Sequence, residues 1–349
     1  MRRAQRSILR RFKNELNEED FCYVLDDTSK IKHGKNGYRV GKWATSSKNF
    51  YHGQKILVLV LIHKKKNIAI PIGFRFNTKK DDPEYESNLD QAIDLLKEAL
   101  DAGFPPLIVV MDSWFDSTKF LEQIETLGLK FCVHAKSNRN IKANPGPNIP
   151  WIKWPKLFAS YKTHSIVDKG GKQKKKKHAA LCQVALKDKK KRVNAVAVYN
   201  RKNEKKPFAV YLTNDHNLNA QEVWELSRRR WHIEEMFRTL KQDLSFGKLS
   251  CSGKAGADLS ICIPFILLIA LHTNLTDLNP DEDFTRVTVG TRIEKIRAKS
   301  FEKTLSIMLG NPVHPNVQLL KNRRAISQIN KKPVNRPAEY IKIGNRMVA

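Results

Sequence analysis

The chain has 349 residues, 41% of them hydrophobic and 28% charged, which sets aside a disordered or fibrous main state and leaves room for one large core or two modest ones. Sixty-four Lys and Arg against 35 Asp and Glu give a formal net charge of +29, so the expected partner is a polyanion, nucleic acid first; a solubility surface or a membrane-surface binder is the bland alternative. Cys22, Cys132, Cys182, Cys251 and Cys262 are odd in number and lack a C-x-x-C pair, which argues against a zinc finger and for reduced thiols in the cytoplasm.

The first twenty residues, MRRAQRSILRRFKNELNEED, are basic and lack the apolar core of a signal peptide, so 1–20 is set apart as a basic segment. FCYVLD at 21–26, ILVLVLI at 56–62 and AIPIGFRF at 69–76 read as strands, the last two separated by the turn-like KKKN. ESNLDQAIDLLKEALDAG then sets Leu89, Ile93, Leu96 and Leu100 at helical spacing, with Gly103 as the stop. PLIVVMD has no alternation, as expected of a strand buried on both faces. A helix through Phe120, Ile124 and Leu127 and the strand of LKFCVHAK complete a β-β-β-α-β-α-β order over 21–136. That order predicts an α/β fold, a mixed sheet flanked by helices.

Residues 137–215 lose helical periodicity. AALCQVAL, VNAVAVY and FAVYLT are β-rich, and they alternate with the lysine runs KGGKQKKKK and KDKKKR, which read as solvated hairpin tips or phosphate-facing loops. This is read as an inserted antiparallel β subdomain. Helical spacing returns from Asn219 to Leu244, so 216–275 completes the core. ICIPFILLIALHTNL, from Ile261, has an unbroken apolar run of about eleven residues where a membrane span needs about 20, so a buried helix and no membrane partner are expected. Residues 276–349 are basic and partly helical.

Two acids close apolar strands: Asp26 in FCYVLD and Asp112 in PLIVVMD, at the carboxyl edge where open α/β sheets put their sites. Asp27 is the alternative to Asp26; alternation sends the two carboxylates to opposite faces, and Asp26 is preferred. The third signal is SRRRWHIEEMFRTLKQDL. At about 100° per residue, Ser227, Arg230 and Lys241 fall within about 60° of one another and of Glu234. Leu226, Ile233, Phe237, Leu240 and Leu244 form the adjoining apolar stripe. Glu234 is the one acid on the strip. Taken alone, Arg230 and Glu234 also fit a solvent-facing ion pair four residues apart, worth a few tenths of a kcal/mol.

The spacing S-x2-R-x3-E-x6-K, carried by Ser227, Arg230, Glu234 and Lys241, resembles the Y-x2-R-x3-E-x6-K signature of DDE transposases of bacterial insertion sequences, in the insertion-sequence-four-like superfamily. DDTSKIKHGK and IVVMDSWFDS resemble that family's first and second acid blocks, and the likeness covers about residues 20–275. It implies a ribonuclease H-like core in which Asp26, Asp112 and Glu234 are catalytic and bind two Mg²⁺ ions, with Mn²⁺ as a substitute. Such a site would drive DNA cleavage and strand transfer in cut-and-paste transposition, as a homodimer on paired terminal repeats. Arg230, Lys241, Arg229 and Arg238 would contact DNA. The resemblance also implies an aromatic stacked on DNA near the site, with Trp114 and Trp231 as candidates. Two departures stand out. Ser227 replaces the signature Tyr, and only about twenty residues lead into the first strand where family members carry a separate DNA-binding domain, as in a truncated chain or one with a late start. The rival class is a catalytically inactive or truncated transposase-derived DNA-binding protein.

Overall fold

The apolar runs of the sequence become strands of one sheet. The computed structural model describes residues 2–12, 16–31, 37–44, 49–66, 68–143, 152–168, 175–187, 192–202, 204–248 and 253–273, with short pieces at 293–294, 342–343 and 346–347. The chain divides into two compact units, Met1–Val289 and Gly290–Ala349.

The first unit begins with helix α1 (Arg2–Arg11), followed by strands β1 (Phe21–Ile31), β2 (Gly41–Ala44), β3 (Phe50–His63) and β4 (Ala69–Phe76). Helix α2 (Asn88–Asp101), β5 (Val109–Met111), α3 (Thr118–Thr126) and β6 (Phe131–His134) come next. The segment read as an insertion holds β7 (Asn140–Lys142), β8 (Ile152–Lys153), the single turn α4 (Trp154–Leu157), β9 (His164–Asp168), β10 (Lys175–Leu186), β11 (Val193–Tyr199) and β12 (Ala209–Thr213). Helices α5 (Ala220–Arg228), α6 (Trp231–Gln242) and α7 (Lys254–Thr273) close the unit. In the second unit the described strands are β13 (Lys342–Ile343) and β14 (Arg346–Met347), an antiparallel pair.

In the sheet, β4, β3 and β1 are antiparallel neighbours, while β1, β5 and β6 run parallel. β12 pairs antiparallel with β6, so β12, β11 and β10, with β9 and β7, extend the same sheet rather than forming a separate one. Both faces are covered. Phe21, Tyr23 and Leu25 of β1 pack with Ile93 and Leu96 of α2 and with Phe120 and Ile124 of α3. Cys22 and Val24 look the other way, to Val223 of α5, Ile233 and Phe237 of α6, and Ile261 and Phe265 of α7. Two-sided burial is why the central strands read as unbroken apolar runs.

Local chemistry sets the ends of α2. The Ser87 hydroxyl accepts from the Asp90 N–H at 3.2 Å, and Gly103 takes φ +95°, which a side chain disfavours. Several elements differ from the sequence reading. β1 does not end at Asp26: Asp27, Thr28 and Ser29 keep pairing with β3, the strand runs on to Ile31, and Asp26 lies inside it. The basic N-terminal segment contains the helix α1, whose Ile8, together with Phe12 one turn on, is buried in the core; that i, i+4 spacing was the available signal. α7 is 20 residues long, beyond its eleven-residue apolar run, because the preceding Ala, Asp, Leu and Ser continue the helix. By length and composition it could cross a membrane. One face packs on the sheet through Ile261, Phe265 and Leu268, while Leu259, Ile263, Ile266 and Leu267 are exposed.

Candidate active site

The parallel register sets the first two acids side by side. Leu25 of β1 is level with Met111 of β5, so the next residues along, Asp26 and Asp112, meet at the carboxyl end of β5. Asp112 ends the strand and caps the tight turn Ser113–Phe115, accepting the Ser113 N–H at 2.6 Å. Along β1, Cys22, Val24 and Asp26 share the face covered by α5, α6 and α7. Asp27 lies on the other face and pairs with Lys55 of β3 at 2.8 Å.

Arg230 ties Asp26 to the helix. Its Nη1 donates to Asp26 Oδ2 at 3.0 Å and its Nη2 to Glu234 Oε1 at 2.9 Å. Burial works against the Arg230 charge, and Asp26, Asp112 and Glu234 together outweigh it, so its pKa is raised. Three carboxylates therefore face one guanidinium. The continuous helix expected over 219–244 is interrupted here. The Arg230 N–H reaches the Ser227 carbonyl at 3.3 Å and the Ile233 N–H the Arg230 carbonyl at 3.1 Å, three residues back rather than four. This tighter turn separates α5 from α6 and shifts the phase of Ser227 relative to Glu234.

Asp26, inside β1, and Asp112, at the end of β5, sit in unlike surroundings. Burial pushes Asp26 up to about 6, although Arg230 and the Asp27 N–H oppose it. Asp112 is drawn down to about 2, first by His134, then by the Ser113 N–H and Arg230, against burial. His134 closes β6, its Nδ1 3.7 Å from Asp112 Oδ1. The donors are all hard carboxylate oxygens, the chemistry that Mg²⁺ or Mn²⁺ takes, so the residues fit such an ion. Among the described residues, no three acids, histidines or cysteines are gathered as a ready-made metal cage. Arg230 is the shared counter-charge of Asp26 and Glu234 instead.

The other expected residues divide. Lys241 and Arg238 are exposed on α6, beyond Glu234. Arg229 is not brought to the carboxylates: it lines a cavity with Glu18, Lys64 and Ile108 at the amino ends of β1 and β5, since neighbouring residues of a helical turn point about 100° apart. Trp231 is 45% exposed and, with Asp112, His134, Tyr211, Arg228 and Arg230, lines a cavity of about 240 Å³. Ser227 donates to the Trp224 carbonyl at 2.7 Å and also meets the phenol of Tyr211, so a tyrosine reaches this corner from β12 although position 227 lacks one. Trp114 is 44% exposed beside Lys55. His134, Tyr211 and Lys55 went unnoticed in the sequence. Only His134, at the end of an apolar strand as Asp112 is, carried a local signal.

Residues 22–269 match the family model of the transposase DDE domain. No curated protein matches the chain. Among solved structures, it aligns with the piggyBac transposase in a synaptic complex with hairpin DNA at a TM-score of 0.46 and 13% identity, covering 91% of this chain and 59% of that one. It also aligns with the Drosophila P element transposase in a strand transfer complex at a TM-score of 0.20 and 14% identity, covering 40% and 33%.

Proposed function

The chain belongs to the transposase DDE domain family, and from that premise we propose that it cuts DNA at the ends of an insertion sequence and joins the freed 3′ ends to target DNA. The observation that carries this reading is the convergence of Asp26, Asp112 and Glu234 on Arg230 at one edge of the sheet. The strand order β4-β3-β1-β5-β6, three antiparallel strands then two parallel, supports a ribonuclease H-like core, with 137–215 as an insertion that adds strands to its far edge.

Members of the family normally use divalent metals; Asp26, Asp112 and Glu234 would hold Mg²⁺ or Mn²⁺ here, and two such ions would activate the attacking hydroxyl and stabilise the leaving oxygen. The protein's own groups do the positioning. Arg230 offers a bidentate fork to a phosphate beside the scissile bond, and a phosphate that takes it releases Asp26 and Glu234 from their ion pairs. Lys241 and Arg238, exposed farther along α6, continue the phosphate track. The Ser113 N–H and His134 keep Asp112 ionised. The reading extends to a homodimer on paired ends, acting on DNA in the cytoplasm.

The test is cleavage of a duplex carrying the terminal repeats that flank the coding sequence, in Mg²⁺ and in chelator, beside a gel shift on the same preparations. Glu234→Gln is expected to keep DNA affinity and lose cleavage by about 100-fold or more, as removal of an essential charge stabiliser does. Cleavage at the wild-type rate would reduce Glu234 to half of a surface ion pair. Binding without cleavage by the wild type would favour an inactive DNA-binding protein.

A further inference from the structure

The sequence from 28 to 80 contains no Asp or Glu, and the strands it forms run well past the carboxylates. β1 and β3 stay paired as far as Ile31 and Gly53, and β3 pairs with β2 from Gly53 and Gly41 out to Phe50 and Ala44. Beyond Ile31, the sheet therefore narrows to a two-stranded ribbon among the described residues. Its base is tight. A Cβ at Gly53 would collide with the Lys30 carbonyl, and the Trp43 indole N–H donates to the Gly53 carbonyl at 3.0 Å. Its register to the site is fixed as well. Asp26 is level with Val58, and alternation carries that face through Ile56 and Gln54 to His52 and Phe50. Lys42, opposite His52, shares the face, with its Nζ 4.5 Å from the centre of the Phe50 ring. Phe50 is 62% exposed, and Lys42 is exposed beside it. At about 3.3 Å per residue, Phe50 stands about 26 Å beyond the acids. Arg39, at the foot of β2, is already paired with Asp82 and Glu84. Packing accounts for neither Lys42 nor Phe50.

We propose that the β2–β3 ribbon is a DNA-gripping arm, which enters the major groove of the duplex held at the carboxylates, with Lys42 on a phosphate and Phe50 against the groove wall. The inference rests on the transposase reading above and adds a surface that it does not use. A major groove about 12 Å wide admits a two-stranded ribbon, so the shape fits without rearrangement. The charge fits too, since the arm is cut from an acid-free stretch of the chain. Because the arm and Asp26 share the strands β1 and β3, it meets the duplex at a set distance: about 26 Å is about eight base pairs from the scissile bond. The arm thus measures off a length of duplex.

The experiment measures binding of the terminal-repeat duplex by fluorescence anisotropy in chelator across a salt series, so that it is independent of cleavage. Lys42→Gln is expected to weaken binding and to flatten the slope of log K against log salt by about 0.9, one phosphate's share. Phe50→Ser should weaken binding about 10-fold or more, the share of one buried aromatic side chain, with the slope unchanged, and Phe50→Leu should restore most of it. A second duplex carries uncharged methylphosphonate linkages around the predicted distance on each side of the scissile bond. On it the Lys42→Gln penalty should vanish while that of Arg230→Ala persists. Thermal melts of each variant separate a lost contact from a lost fold. Lys42→Gln and Phe50→Ser binding like the wild type, while Arg230→Ala binds weakly, would overturn the arm and leave the transposase reading standing. So would a Phe50→Ser chain that binds DNA normally but loses self-association in light scattering, which would give the ribbon to a second copy. No binding by the wild type itself would sink both.

Discussion

Asp26 is costly to the folded chain. A carboxylate at about 6, against about 3.8 when unfolded, means that burial disfavours its charge more than Arg230 favours it. The sign follows from linkage. A raised carboxyl group binds its proton more tightly in the folded state, so folding is penalised above pH 6 and the penalty fades as pH falls from 6 towards 4. Asp26→Asn is therefore expected to raise the melting temperature at pH 7 in the absence of divalent ions, with the gain shrinking to nothing near pH 4. Melts at the two pH values check it, and a lower melting temperature at pH 7 would contradict the burial argument. Asp112 runs the other way. Drawn down to about 2 by His134, it stabilises the fold above pH 4, and that contribution is lost as pH falls through 2. At this scale the helical phase of SRRRWHIEEMFRTLK put Arg230 and Glu234 on one strip from spacing alone. That the Arg230 fork also spans to Asp26, 204 residues away, depends on how α6 lies over β1.

Among the elements, the turn between β5 and α3 bears most on the site, since it carries both Asp112 and Trp114. Its anchor is Asp116, whose side chain is fully buried and paired with Arg139. Removing one partner of a buried pair leaves the other charge uncompensated, at about 3–5 kcal/mol. Asp116→Ala is thus expected to lower the unfolding free energy by that amount and to disorder Trp114 and Asp112 together. Denaturant titration measures the first and tryptophan fluorescence the second; a loss below about 1 kcal/mol would mean that the turn is held by packing alone. MDSWFDS shows two acids four residues apart; the apolar run before it marks Asp112 as the one at the strand end, but nothing local shows that Asp116 is buried beneath it. Arg139 decides that, from across the β6–β7 connection. The break between α5 and α6 was equally silent, because Arg229 and Arg230 both keep helical backbone angles and only their hydrogen bonds tighten.

For the whole molecule, a net charge of +29 predicts DNA binding that falls steeply with salt. Arg230→Ala should flatten that dependence by about 0.9 in the slope of log K against log salt. The same substitution leaves Asp26 buried without its counter-ion, so stability should fall as affinity does. A slope that stays the same would mean that Arg230 serves the acids and no phosphate.

Composition, apolar runs and helical phase determined a basic α/β chain, the strand-end position of Asp112 and the strip through Arg230 and Glu234, because each rests on contacts between residues near in sequence; that β1 runs on past Asp26 to Ile31 rests on its pairing with β3. Tertiary structure alone decided which strands pair. It joined β12 to β6, making one sheet of the core and the β-rich segment, turned Arg229 away from the acids, and set His134 and Tyr211 beside them. Strand register and helix docking are fixed by long-range burial, where one step in the pairing moves a side chain to the opposite face. No local pattern encodes that choice.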